Sequence, residues 1–209
     1  EHRVPPESRP EEVAGVMGEL IKDGKIRGWG QSQSTPEQIR RAHAVTPLSM
    51  VQSEYSMMER MFEAEVIPLC LELGIGFVAF SPMASGFLSG KYTAATTYVG
   101  DDVRRAITRF AKENVIANQP LLDALEKLSA AKGCTKAQLA LAWMVAKAPH
   151  VVPIPGMRSD ARIEENLGAA DVSLSPDELA EVEEALAHIV IHGNRTDEDI
   201  QRMGYVKPQ

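Results

Sequence analysis

The chain has 209 residues, 44% hydrophobic and 24% charged, an ordinary composition for a folded domain with a sizeable core. Its net charge is −7 and it has neither Lys/Arg runs nor interleaved aromatics, which argues against a nucleic-acid backbone as partner. No apolar stretch is long enough to span a bilayer and no signal peptide is visible, so no membrane association and a cytoplasmic location are expected.

The first segment, "EHRVPP", has no initiator Met and reads as the end of a strand, so we expect a piece of something longer. From Pro10 a helix follows, with Val13, Val16, Met17, Leu20 and Ile21 on one face, Glu11 and Glu12 in its first turn and Lys22 near its end. "IRGWGQS" reads as a strand, and "TPEQIRRAHAV" as a helix capped by Thr35 with Pro36 at its first position. "LSMVQSEYS" is the next strand, and "FEAEVIPLCLELG" a helix ended by Gly74. "IGFVAFSP" is a strand whose apolar run predicts burial on both faces. A long irregular segment, Met83 to Arg109, is rich in Gly, Ser and Thr and reads as a mobile lid. Two helices, "LLDALEKLSAAKG" and "TKAQLALAWMVAKAP", lead to a short strand at Val151. A helix starting at Ser159 or Asp160 comes next, then a last one capped by Ser175 with Pro176 first, and a polar tail. Cys70 and Cys134 lie far apart, with no CxxC and no Cys/His cluster. They read as core or half-buried thiols of a reducing compartment, and no metal site is expected.

Strand–helix units repeat without hairpins, which predicts a parallel sheet with helical crossovers. Four complete units begin at Ile26, Leu48, Ile75 and Val151. A doubly wound sheet and half of a (β/α)8 barrel both fit. No GxGxxG follows the first strand, and a full barrel typically takes about 250 residues. In either architecture function sits at the carboxyl ends of the strands. Those ends carry His2, then Ser32 and Gln33, then Gln52 to Glu54, then Phe80 to Pro82, then Gly156 to Arg162.

The stretch "VPIPGMRSDARIEENLGA" has a mechanism of its own. A strand is broken by Pro155-Gly156, and a helix N-terminus then follows with Arg158 and Arg162 four residues apart. Free N–H groups and a guanidinium fork suit a phosphate. Two solvated surface arginines are the plainer alternative.

The segments "HRVPPESRPEEVAG", "LIKDGKIRGWGQS", "IRRAHAV", "VQSEYS", "ELGIGFVAFSPMASGFLSGK" and "IPGMRSDARIEENLGA" together resemble the aldo-keto reductases, in that family's order and over essentially the whole chain. The resemblance implies an α/β (β/α)8 barrel, of which residues 1–209 would be the C-terminal portion of a single domain, with NADP(H) extended across the carboxyl face. It implies that Arg158 and Arg162 lie by the adenosine 2′-phosphate and that Glu165 and Asn166 reach the adenine edge. It places Ser32, Gln33 and Gln52 on the nicotinamide carboxamide and Phe80 under the nicotinamide ring. Ser81, Pro82, Met83 and Ser85 would line the pyrophosphate, with Gly156 and Met157 in the turn before the arginines. His2 matches the histidine that orients the substrate carbonyl.

Each has a plainer reading: Ser32 starting a turn, Gln52 a core amide, Phe80 core packing, His2 a solvated side chain. The family's general-acid Tyr, its Lys and its Asp are absent from this sequence. None of Tyr55, Tyr92, Tyr98 and Tyr205 matches that acid, so the three residues are expected upstream. The implied activity is NADPH-dependent reduction of a small aldehyde or ketone. A nucleotide-binding regulatory subunit is the alternative, and a phosphate-handling lyase or isomerase leaves Ser32, Gln33 and Gln52 without a task.

Overall fold

The structure, a computed structural model, describes residues 1–4 and 7–195. Helix α1 spans Pro10–Lys22, β1 Gly30–Ser32, α2 Pro36–Val45, β2 Met50–Glu54, α3 Val66–Glu72 and β3 Gly76–Phe80. The chain then passes through short 3-10 turns to α4 (Lys112–Ala117), α5 (Gln119–Lys132) and α6 (Lys136–Lys147). It ends in β4 (Val151–Ile154), α7 (Asp160–Leu167) and α8 (Pro176–Ala187). The polar tail from residue 196 and Tyr205 lie outside the described residues.

All strand pairs are parallel and stand in chain order, β1-β2-β3-β4. Helices α1, α2 and α3 make the first crossovers, as the strand–helix alternation predicts. Glu1 to Val4 runs beside β1, with the Ser32 N–H on the Glu1 carbonyl at 2.9 Å and the Val4 N–H on the Ser32 carbonyl at 3.3 Å. Capping chemistry sets several of the helix starts. Thr35 and Ser175 each close a capping box with Pro at the first turn, and Thr135 closes a third before α6.

Side chains of a strand alternate between faces, and here the two faces differ. Val51, Phe77, Ala79 and Val151 point toward the helices and are buried among Ile39, Leu69, Leu139 and Trp143. The other face carries the register row Ser32, Gln52, Val78 and Val152. Val152 is 55% exposed and Ile154 44%. For residues 75–82 burial is seen on the helix-covered face among the described residues. Gly76–Phe80 alternates half-buried and buried, because helices cover only one side of the sheet among the described residues.

Two further differences from the sequence reading concern extent. The first strand starts at Gly30 rather than Ile26, and α3 starts at Val66 rather than Phe62. At Gly30 a Cβ would stand 2.4 Å from the Met50 carbonyl oxygen, so glycine allows the close approach there. The segment read as a lid, Met83 to Arg109, packs around rings. Tyr92, Tyr98 and Phe110 meet edge-on or tilted at 5.6–5.9 Å between centroids, and Phe87 lies 5.6 Å from Phe110. Among the described residues no helix is long and apolar enough to cross a membrane.

Candidate functional site

The carboxyl ends of the strands bring the expected residues to one edge of the sheet. Ser32 and Gln52 are register partners, and the Gln33 N–H donates to the Gln52 carbonyl at 2.9 Å. Ser32 and Gln33 are buried and Gln52 half-buried. Their side chains make no hydrogen bond within the described residues, which leaves a hydroxyl and two amides aimed at nothing internal. His2 is exposed, in the segment paired with β1.

Backbone strain collects here. The five non-glycine residues with positive φ among the described residues are Arg3 (58°), Gln33 (55°), Ser81 (50°), Ala84 (48°) and Ser85 (58°). Gln33 directly follows β1, the next three follow β3, and Arg3 lies beside Ser32. Each costs energy that an ordinary turn would avoid, and such outliers cluster where a backbone must meet a ligand. Behind β3 the chain folds tightly, with the Ala84 N–H on the Ser81 carbonyl at 2.8 Å and the Gly86 N–H on the Met83 carbonyl at 2.9 Å. Pro82 is buried beneath that turn, while Ser81, Met83 and Ser85 are partly open.

Phe80 stands at the end of β3, half-buried, opposite Glu54 in register. Its ring carries two guanidiniums, those of Arg195 at 4.6 Å and Arg3 at 5.5 Å from the centroid. Glu54 is buried beside it and bonded to the fully buried Arg109, whose other nitrogen meets Glu59 at 3.4 Å. Burial raises the Glu54 pKa above the usual carboxylate range and outweighs the attraction of Arg109 and Arg195.

Gly156, Met157 and Arg158 form an exposed turn after β4, held by Asn166, whose amide reaches the Gly156 carbonyl at 3.5 Å. Ser159 takes the N-cap position of α7 but its side chain makes no capping bond. Arg162 pairs with Glu165 at 2.9 Å, so two residues expected to face different parts of a nucleotide face each other here.

The sequence reading missed three cations of this edge. Arg195 lay in the polar tail, Arg3 beside the more conspicuous His2, and Arg104 in the segment read as mobile. Arg104 lies 4.5 Å over Tyr92 and 5.7 Å over Tyr98, donates to the Ser85 carbonyl at 3.3 Å, and pairs with Asp102 at 2.7 Å. That bond, with help from nearby Arg158, lowers the Asp102 pKa.

Comparison with known proteins places this arrangement. A family model described as "Aldo/keto reductase family" matches residues 1–187. A soybean (Glycine max) protein named "Probable aldo-keto reductase 1" is 38% identical over 195 residues, covering 93% of this chain and 56% of that protein. The solved structure of a glycerol dehydrogenase from Gluconobacter oxydans superposes with a TM-score of 0.82 at 28% identity, covering 91% of this chain and 58% of the other. A thermostable aldo-keto reductase solved with the inhibitor epalrestat shares the fold, with a TM-score of 0.64 at 24% identity, covering 86% of this chain and 56% of the other. The chain thus spans little more than half the length of the relatives it matches.

Proposed function

This chain belongs to the aldo/keto reductase family, and from that premise we propose that its strand ends hold NADP(H) for the reduction of a small aldehyde or ketone in the cytoplasm. The sheet is accordingly an arc of a (β/α)8 barrel. The observation that carries the proposal is the unspent polar set at the ends of β1 and β2. Ser32, Gln33 and Gln52 offer a hydroxyl and two amides, which complement a carboxamide with its one acceptor and two donors. Phe80 supplies an aromatic face next to them, and the left-handed turn from Ser81 to Ser85 brings backbone to the level of a pyrophosphate. Arg158 and Arg162 stand at the open start of α7, where a 2′-phosphate would find charge and free N–H groups.

Bound there, a reduced nicotinamide supplies the hydride. The residues of this chain hold it by its carboxamide, and His2 helps place the carbonyl oxygen. The general-acid Tyr and its Lys and Asp are expected outside this segment. Tyr55 is unsuited to that role, because it is buried on the helical side with its hydroxyl on Glu63 at 2.6 Å.

The test is a titration of the complete protein with NADPH, followed by assay of NADPH oxidation against short aldehydes and ketones. We expect binding that Gln52→Ala weakens by roughly tenfold, the worth of a good hydrogen bond lost at a buried site. Absence of NADPH binding would overturn the proposal. Binding without turnover would leave a nucleotide-binding subunit.

A further inference from the structure

Resting on the reading that the turn from Ser81 to Ser85 meets a pyrophosphate, we propose that Arg104 is a positioning residue that sets this turn in its binding shape before any nucleotide arrives. The local sequence does not favour that shape. Ser81, Ala84 and Ser85 are non-glycine residues at φ 50°, 48° and 58°, and Gly86 follows at 95°. Side chains rarely adopt that backbone, and it persists only where the surroundings over-determine it.

The segment that follows the turn supplies such a constraint. The Tyr92 ring lies against Gly86 so closely that a Cβ there would stand 2.9 Å from Cε2 of the ring. Arg104 Nη1 donates to the Ser85 carbonyl at 3.3 Å, from 19 residues further along the chain. Ring and cation thus hold two consecutive residues of the turn. Within the turn, Ser89 Oγ donates to the Gly86 carbonyl at 2.7 Å, so the carbonyls of 85 and 86 are both taken.

Arg104 itself is fixed in direction. Its Nε and Nη2 share one Asp102 oxygen, at 3.2 and 2.7 Å, and Nη1 also donates to the Tyr92 hydroxyl at 2.5 Å. The other Asp102 oxygen accepts from the Arg104 backbone N–H at 3.0 Å, which ties the pair to its own stretch of chain. The guanidinium lies over the rings of Tyr92 and Tyr98, at 4.5 and 5.7 Å from their centroids. All three nitrogens are engaged and the charge is answered by Asp102, which suits this side chain to bracing the turn rather than to holding a phosphate.

A ligand's apparent affinity falls with the fraction of protein that lacks the binding shape. Removing a charge-assisted bond that is 23% exposed on the arginine side should lower that fraction by about tenfold, the smaller end for bonds of this kind. NADPH and NADH both carry the pyrophosphate, so both should weaken by the same factor.

The experiment titrates the complete protein, Arg104→Gln and Arg104→Lys with NADPH and with NADH, and follows hydrogen exchange of residues 81–90 in the free and NADPH-saturated proteins. Arg104→Gln is expected to weaken both nucleotides about tenfold and leave their ratio unchanged. In the free variant the turn loses protection, which NADPH restores, while β2 and β3 exchange as in the natural protein. A general loss of stability would not spare those strands. Lysine cannot hold Asp102, Tyr92 and the Ser85 carbonyl together, so Arg104→Lys should weaken both nucleotides too.

Unchanged affinities in Arg104→Gln overturn the inference but not the proposed function. Weaker binding with unchanged exchange of the free turn also overturns it, since Arg104 would then be touching the pyrophosphate directly. So does a much greater loss of NADPH than of NADH, which would assign Arg104 to the 2′-phosphate. Failure of the natural protein to bind either nucleotide removes both readings. Should Arg104→Gln not fold, Arg104→Lys carries the test, and binding of both nucleotides as tight as in the natural protein overturns the inference.

Discussion

Arg109 and Glu54 meet inside the protein, 3.0 Å from Nη1 to Oε1, and their side chains are 0% and 5% exposed. A pair so placed is costly to break, because the partner left behind is a desolvated charge. Arg109→Met should therefore destabilise the fold by about 3–5 kcal/mol, read from the midpoint of denaturant unfolding. Glu54 itself has its pKa raised, mainly by burial. The folded state holds this proton more tightly than the unfolded chain does. Its contribution to stability is thus fully present below the unfolded carboxyl pKa and fades as pH rises through the folded value. The stability of the natural protein relative to Glu54→Gln should fall as pH rises from the acid side through that window. A gap that grows instead would show that the attraction of Arg109 and Arg195 outweighs burial.

For nucleotide choice, Arg162→Ala should weaken NADPH about tenfold more than NADH, since charge-assisted bonds to the 2′-phosphate contribute about 1.5–3 kcal/mol before solvent discounts them. Arg162 is 40% exposed and shared with Glu165, which favours the lower figure. Arg158 lies in an exposed turn, so Arg158→Ala should cost less. Equal weakening of both nucleotides by Arg162→Ala would assign this arginine to the fold or the pyrophosphate.

Hydrogen exchange should separate two parts of the segment from Met83 to Arg109. The backbone around Tyr92 and Tyr98, clamped by Arg104, is expected to be protected with or without nucleotide. The turn from Ser81 to Gly86 should gain protection when NADPH is added. Equal protection of the turn in both states would count against its meeting the pyrophosphate.

Gly193→Ala should loosen the strap that follows α8. The new methyl would press on the Arg109 backbone in a conformation that side chains rarely adopt. A loss of about 2–4 kcal/mol is expected from strain and overpacking together, measured as a drop in the denaturant midpoint. Gly15→Ala, in the middle of α1 where a Cβ meets nothing within 4 Å, should be neutral or slightly stabilising.

The parts legible in the sequence were those with local chemical marks. Thr35-Pro36 and Ser175-Pro176 announced helix starts, Gly74 a helix end, and the spacing of apolar runs the four parallel strands. Convergence of Ser32, Gln52 and Phe80 followed from the rule about strand ends. The strained turn did not, because Gln33, Ala84 and Ser85 adopt left-handed backbone without the glycine that would announce it. Arg195 was hidden for another reason. Its place depends on bonds between residues 108–118 and 192–194, a separation that no periodicity reports.

The outer strand β4 has a directional consequence. Phe77 donates to the His150 carbonyl at 3.3 Å, so in a parallel ladder the amides of Val152 and Ile154 turn toward β3. Positions 151, 153 and 155 turn the other way. Val151 spends its N–H on the Ala148 carbonyl at 2.9 Å, and the other two are prolines, which have none. The side of β4 left open among the described residues therefore presents carbonyls and no amide. Two such edges cannot zip to each other, since neither can give a hydrogen. Only a strand that brings donors at the matching spacing can pair there, which makes this margin of the sheet selective for its neighbour.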